Sequence, residues 1–259
     1  MVEKLLEELA VLPQVEAIAL GGSRAGTAFD EKSDYDVYLY CTGEIAEDVR
    51  RGILSKYCCY IELSNRYWEL EDNCTLSNGI DIDILYRNLD DIVADVASVV
   101  EQFNARNGYT TCMWHNIKTC KIVFDRNGRL VNAKQRFDLP YPEQLRTNII
   151  ERNINLLHDA LPAYDAQVAK AVKRNDNVSI NHRTAAFLES YFDIIFAYNK
   201  LTHPGEKRIV QLCKRDCATL PRDFEENLNR LFAAMFVNTE KVTGILEAIV
   251  DNLNEMLKR

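Results

Sequence analysis

Apolar positions along the 259-residue chain follow two different periods, and the change between them falls near the middle. In the first half, short apolar runs alternate with helical stripes. Residues 2–12 carry a 3.6-residue stripe that Pro13 ends, which predicts a helix. Residues 15–20, VEAIAL, predict a short strand broken by Gly21-Gly22, and a short helix is expected over residues 23–29. Residues 35–41 and 57–63 read as further strands, with a helix over 44–56. IDIDILY, residues 80–86, alternates strictly and is the clearest strand signal in the chain. The polar stretch 69–79 before it reads as an acidic loop. Asn88 followed by Asp91 opens a helix whose apolar stripe runs from Leu89 to Phe103, and KIVFD, residues 121–125, is the last strand.

After Pro140 the alternating pattern disappears. Leu145, Ile149, Ile154, Leu157 and Leu161 form one helical stripe, and residues 224–235 form another. Residues 185–201 are apolar nearly all round, as in a buried helix, and Ile245 to Leu257 close the chain with a further stripe. The pattern therefore predicts an α/β (α+β) domain over residues 1–137, then an all-α helical bundle over residues 138–259.

Charge adds an asymmetry. The formal net charge is −8, and residues 1–137 hold 22 acids against 15 bases, so nearly all of the excess lies in the first half. An acidic chain without a long basic run makes a poor bulk nucleic-acid binder. No apolar run approaches the roughly 18 residues of a membrane span. No leader-like segment opens the sequence, and the eight cysteines lack disulfide-framework spacing, so reduced thiols in a cytoplasmic protein are expected.

Three features carry candidate chemistry. Gly21-Gly22-Ser23 stands where a strand gives way to a helix, a place where backbone N–H groups can approach a phosphate. Asp34 and Asp36 open the strand VYLY, two positions apart and so on one face. Close like charges of this kind are relieved by a divalent cation. Asp81 and Asp83 share a face of IDIDILY, with isoleucines on the other. Each feature alone is an ordinary turn or a wet strand; together they form a pattern.

GGSRAGTAFDEKSDYDVYLY resembles the Gly-Ser and Asp-x-Asp signature of the DNA polymerase beta-like nucleotidyltransferase superfamily, and GIDIDILYRN resembles its third-carboxylate strand. FLESYFDIIFAYNKLTHPGEK, residues 187–207, is similar to the helical domain of bacterial small-molecule nucleotidyltransferases, relatives of the aminoglycoside and lincosamide enzymes. Gly26 follows Ser23 by three residues, whereas many members place a glycine four after the serine.

The resemblance implies a mixed sheet in the catalytic domain and a helical domain that closes on the nucleotide. It implies two Mg²⁺ ions held by Asp34, Asp36 and Asp83, with Gly21, Gly22 and Ser23 on the β- and γ-phosphates of a nucleoside triphosphate. Asp81 remains an alternative third ligand or a neighbour of the metal-binding set. Arg24 and Lys207 are candidate phosphate partners. The implied reaction transfers a nucleoside monophosphate to a hydroxyl of a small acceptor and releases pyrophosphate. Two other readings stay open: modification of a protein, as in toxin–antitoxin nucleotidyltransferases, and nucleotide binding without turnover.

Overall fold

The structure is a computed structural model and describes residues 1–25, 33–67 and 69–258. The chain divides into two compact units, residues 1–97 with 113–139, and residues 98–112 with 140–259. The stretch 98–112, expected in the first domain, belongs to the second unit.

In the first unit, α1 (Val2–Val11) leads into β1 (Val15–Leu20), and β2 (Tyr35–Cys41) is followed by α2 (Glu47–Leu54). Then come β3 (Cys58–Asn65), β4 (Leu70–Leu76), β5 (Asp81–Arg87) and α3 (Leu89–Val100). After α4 (Cys112–Thr119), β6 (Lys121–Asp125) and α5 (Arg129–Arg136) complete it. Among the described residues the strands form one six-stranded sheet in the order β3-β4-β5-β2-β1-β6. Only β2 and β5 pair in parallel; the other pairs are antiparallel. The sheet is mixed, as implied by the resemblance.

The two faces of the sheet differ sharply. Ile18, Val37, Leu39, Cys74, Leu76, Ile82 and Ile84 pack with Leu5, Leu6 and Leu9 of α1 and Leu54 of α2 into one buried core. This is the hydrophobic half of each alternating strand, and its removal from water is what holds the layers together. The opposite face carries Asp36, Asn73 and Asp83.

Residues 70–76 form a strand rather than the expected loop. The reason is Asp72, which occupies a core-side position in the alternation and so hides it. Asp72 is fully buried and forms an ion pair with Arg50 of α2, itself buried. The same carboxylate accepts from Ser64 N at 2.9 Å and from Tyr86 Oη at 2.8 Å. Arg50 also donates to Ser64 Oγ at 2.8 Å and to the Ile45 carbonyl at 3.0 Å. With every strong donor and acceptor matched, a charge sits in the core layer without being stranded there.

In the second unit, α6 (Glu143–Ile154) continues for one further irregular turn and precedes α7 (Tyr164–Lys173) and α8 (Asn177–Tyr198). The shorter α9 (Ile209–Asp216) leads to α10 (Phe224–Ala234) and α11 (Val242–Leu257). Phe187, Tyr191, Ile194 and Ile195 of α8 form the centre of its core with Leu228, Leu231, Leu246 and Leu253. Asp176 caps α8 by accepting from Ser179 N at 3.0 Å. Among the described residues no helix is long and apolar enough to cross a membrane.

A polar network fastens the stretch 98–112 within this unit. Asp193 of α8 accepts from Thr110 N at 3.1 Å, from Thr110 Oγ1 at 2.6 Å and from Asn153 Nδ2 at 3.2 Å. Gly108 donates to Asn153 Oδ1 at 3.2 Å. Burial pushes the Asp193 carboxyl up to about 7, with its hydrogen bonds opposing the shift.

Two predictions follow from these buried acids. Asp72→Ala should leave Arg50 as a buried uncompensated charge and lower unfolding stability by about 3–5 kcal/mol in urea melts; a change below about 1 kcal/mol would contradict the pairing. For Asp193, the folded chain keeps a proton that the unfolded chain gives up above its ordinary carboxyl value of 3.8. Stability should therefore fall as pH rises from about 4 to about 7 and show no further contribution from this group above that. Asp193→Asn should remove this part of the slope, as read by thermal melts across that window.

Candidate active site

The polar face of the first unit is built by register. Asp36 of β2 lies beside Asp83 of β5 in the parallel pair, and Asp83 lies opposite Asn73 of β4. Neighbouring strands are about 4.8 Å apart, so the two carboxylates project side by side from one face. Both are half-buried, whereas Asp34 and Asp81 are exposed. Asp34 precedes β2, and Asp81 begins β5 and accepts from Thr75 Oγ1 at 2.8 Å. Asp83 accepts from Asn73 Nδ2 at 2.8 Å.

The glycine turn closes on the same acids. Gly21 N donates to the Asp36 carbonyl at 2.8 Å, and residues Gly22–Ala25 form a single tight helical turn. Gly22 has a φ of +54°, and a Cβ there would fall 1.8 Å from Asp36 Oδ2. A Cβ on Gly21 would fall 2.2 Å from Tyr38 Oη. A side chain at position 21 would meet the Tyr38 ring, and one at position 22 would displace the Asp36 carboxylate and adopt a left-handed backbone. Residues 26–29 of the expected helix, including Gly26, lie outside the described residues, as does the hydroxyl expected at Ser23.

Arg24 reaches back along the chain. Its Nε donates to the Ser33 carbonyl at 2.7 Å and to the Asp34 carbonyl at 3.2 Å, and its guanidinium sits 3.8 Å over the Tyr35 ring. These contacts fix the entry to β2 and hence the start of the Asp34-to-Asp36 segment. The residue expected as a phosphate partner therefore also acts as a strut beneath the acids. Tyr38, whose phenol supports the turn at Gly21, donates to Asn116 Oδ1 at 2.5 Å and lies under the Arg87 guanidinium at 3.9 Å. Arg87 in turn makes a two-bond pair with Glu69 at 2.7 and 2.6 Å.

Sequence reasoning missed Asn73 on this face and placed Glu71 in an acidic loop. Asn73 and Glu71 belong to β4, which reads as a loop because Asp72 between them breaks the apolar alternation. Glu71 is buried, and its carboxyl is raised by that burial and by the charge of Asp83. Lys207 lies in the second unit, exposed in the turn before α9, where Gly205 has a φ of +100°. A cavity of about 300 Å³ in the first unit is lined by Arg50, Tyr86 and Arg87, toward the carboxyl ends of β2 and β5 and away from the acids.

The donor set is all carboxylate oxygen, the chemistry that suits Mg²⁺. Among the described residues no three of His, Cys, Asp or Glu stand close enough to enclose an ion. The expected set of Asp34, Asp36 and Asp83 is therefore not gathered into one cluster among the described residues; in phosphate chemistry Mg²⁺ is commonly held by one or two carboxylates together with substrate oxygens. Asp36 and Asp83 meet this requirement, so the residues fit the group.

Residues 111–208 match a family model described as a domain of unknown function, DUF4037. No curated protein matches the chain. Among solved structures, a nucleotidyltransferase-like protein from Exiguobacterium sibiricum is similar at 12% identity and a TM-score of 0.44, over 100% of this chain and 75% of that one. An aminoglycoside 6-adenyltransferase from Bacillus subtilis is similar at 10% identity and a TM-score of 0.30, over 100% and 90%. A CCA-adding enzyme is similar at 11% identity and a TM-score of 0.30, over 99% and 79%. Likenesses at these scores carry no assignment of chemistry, which rests on the residues themselves.

Gly22→Ala tests the turn. The methyl collides with Asp36, and the left-handed backbone alone costs about 1–2 kcal/mol. Urea melts should show a loss of at least that size, and a variant as stable as the wild type would contradict this packing.

Proposed function

We propose that the chain is a divalent-cation-dependent nucleotidyltransferase that moves a nucleoside monophosphate from a nucleoside triphosphate to a hydroxyl of a small acceptor. The observation that carries this reading is the parallel pairing that sets Asp36 beside Asp83, with a glycine turn pressed against the Asp36 carboxylate. Two adjacent acids repel each other, and a divalent cation bound between them would relieve that repulsion.

Asp36 and Asp83, with Asp34 at the strand entry, would hold the cation. Bound there, the cation would offset the negative charge of the triphosphate and of the group leaving it. The N–H groups around Gly22 and Ser23 would receive the β- and γ-phosphates, since the peptide groups of such a turn suit an anion. Arg24 keeps the entry to β2 in place through the Ser33 and Asp34 carbonyls. The acceptor oxygen bonds to the α-phosphorus as the bond to the bridging oxygen breaks, and pyrophosphate departs. The hydroxyl proton passes to a carboxylate of the acidic face or to water.

Asp83 rather than Asp81 is the preferred third acid, since Asp83 is the register partner of Asp36 while Asp81 is exposed and hydrogen-bonded to Thr75. A small acceptor is favoured over a nucleic acid by the net charge of −8, which opposes the approach of a long polyanion.

The test is incubation with labelled nucleoside triphosphates, Mg²⁺ and a panel of hydroxylated small molecules, read by pyrophosphate release and product mass. Asp83→Ala should lower transfer by more than about 100-fold, since loss of a direct ligand should exceed the cost of losing one of its supports. Asp81→Ala should retain most of it. The reverse order would overturn the assignment, and label found on protein or RNA would overturn the small-acceptor reading.

A further inference from the structure

Asp83 does not stand alone on its strand face. Asn73, directly opposite it in the β4–β5 register, donates from Nδ2 to Asp83 Oδ1 at 2.8 Å. The carbonyl oxygen of Asn73 is taken by Asn65 Nδ2 at 2.7 Å, and Asn65 Nδ2 also reaches Glu62 Oε2 at 3.0 Å. The chain of bonds thus runs Glu62, Asn65, Asn73, Asp83, with a carboxylate at each end.

An asparagine side chain presents either its oxygen or its amide group, and its neighbours decide which. A carboxylate accepts only, so Glu62 requires the amide of Asn65 to point toward it. The same amide then meets the Asn73 oxygen, which turns the Asn73 amide toward Asp83. The Asn73 side chain also hydrogen-bonds the Glu71 carboxylate, a second acceptor that calls for the same orientation.

We infer that Asn73 is a positioning residue for Asp83, oriented in turn by Asn65; this rests on the cation-binding reading above. Its bond occupies Oδ1 and holds the carboxylate against the repulsion of Asp36, leaving Oδ2 to face an incoming cation. A neutral donor suits this task, because a lysine or arginine in its place would compete with the cation for the same charge. Supports of this kind typically govern metal affinity by 10–100-fold.

The test is titration of the intact protein with Mn²⁺ alone, followed by the loss of the free-ion EPR signal, with thermal melts in parallel. Asn73→Ala should weaken Mn²⁺ binding by about 10–100-fold with a melting curve close to wild type, and Asn65→Ala should weaken it in the same direction by less. Binding by Asn73→Ala within about twofold of wild type would overturn the inference. If Asn73→Ala does not fold, Asn65→Ala decides: weaker binding supports the relay and unchanged binding overturns it. A wild-type protein that binds no Mn²⁺ would instead remove the reading on which the inference rests.

Discussion

Parallel pairing of β2 with β5 forces two acids, Asp36 and Asp83, to emerge side by side from one face of the sheet. That repulsion is a standing cost of the fold, and much of the surrounding structure accommodates it. The opposite face is saturated with Ile18, Val37, Leu39, Ile82 and Ile84 against α1, which fixes the register that brings the acids together. A one-residue slip of either strand would turn its own acid into that core. The glycine turn lies against the same acids, with position 22 in a left-handed backbone beside the Asp36 carboxylate.

A second buried acid lies on the core side and is matched by the chain itself. Asp72 is buried beneath β4, and Arg50, Ser64 and Tyr86 match its oxygens. The contrast between the two acid groups is informative. Asp72 is paired with a guanidinium, whereas Asp36 and Asp83 stand beside a like charge in the register, with Asn73 donating to Asp83.

Much of this was legible in the sequence, and the exceptions have physical causes. IDIDILY announced β5 because its isoleucines face a core and its acids do not. VEAIAL, which is buried at every position, and KIVFD read correctly as short β-favouring runs bounded by turns, and the change to helical stripes near Pro140 marked the all-α part. β4 was hidden because a carboxylate occupies an inward position, which is tolerable only with a guanidinium supplied by a distant helix. Asn73 was missed along with its strand. The stretch 98–112 was assigned by its place in the chain, whereas its partners Asn153 and Asp193 lie some 45 to 83 residues further on. The role of Arg24 in holding the entry to β2 depends on a reach of nine residues that no local pattern encodes.

The central claim is that the acid pair and the glycine turn act together on a cation and a triphosphate. The most direct measurement is the equilibrium affinity of the wild-type protein for a nucleoside triphosphate whose α–β bridge cannot be cleaved, with Mg²⁺ and then with chelator. The account predicts saturable binding that tightens by at least about tenfold with Mg²⁺, the scale on which ion coordination shifts such equilibria. Equal affinity in the two conditions, or no binding in either, would contradict it.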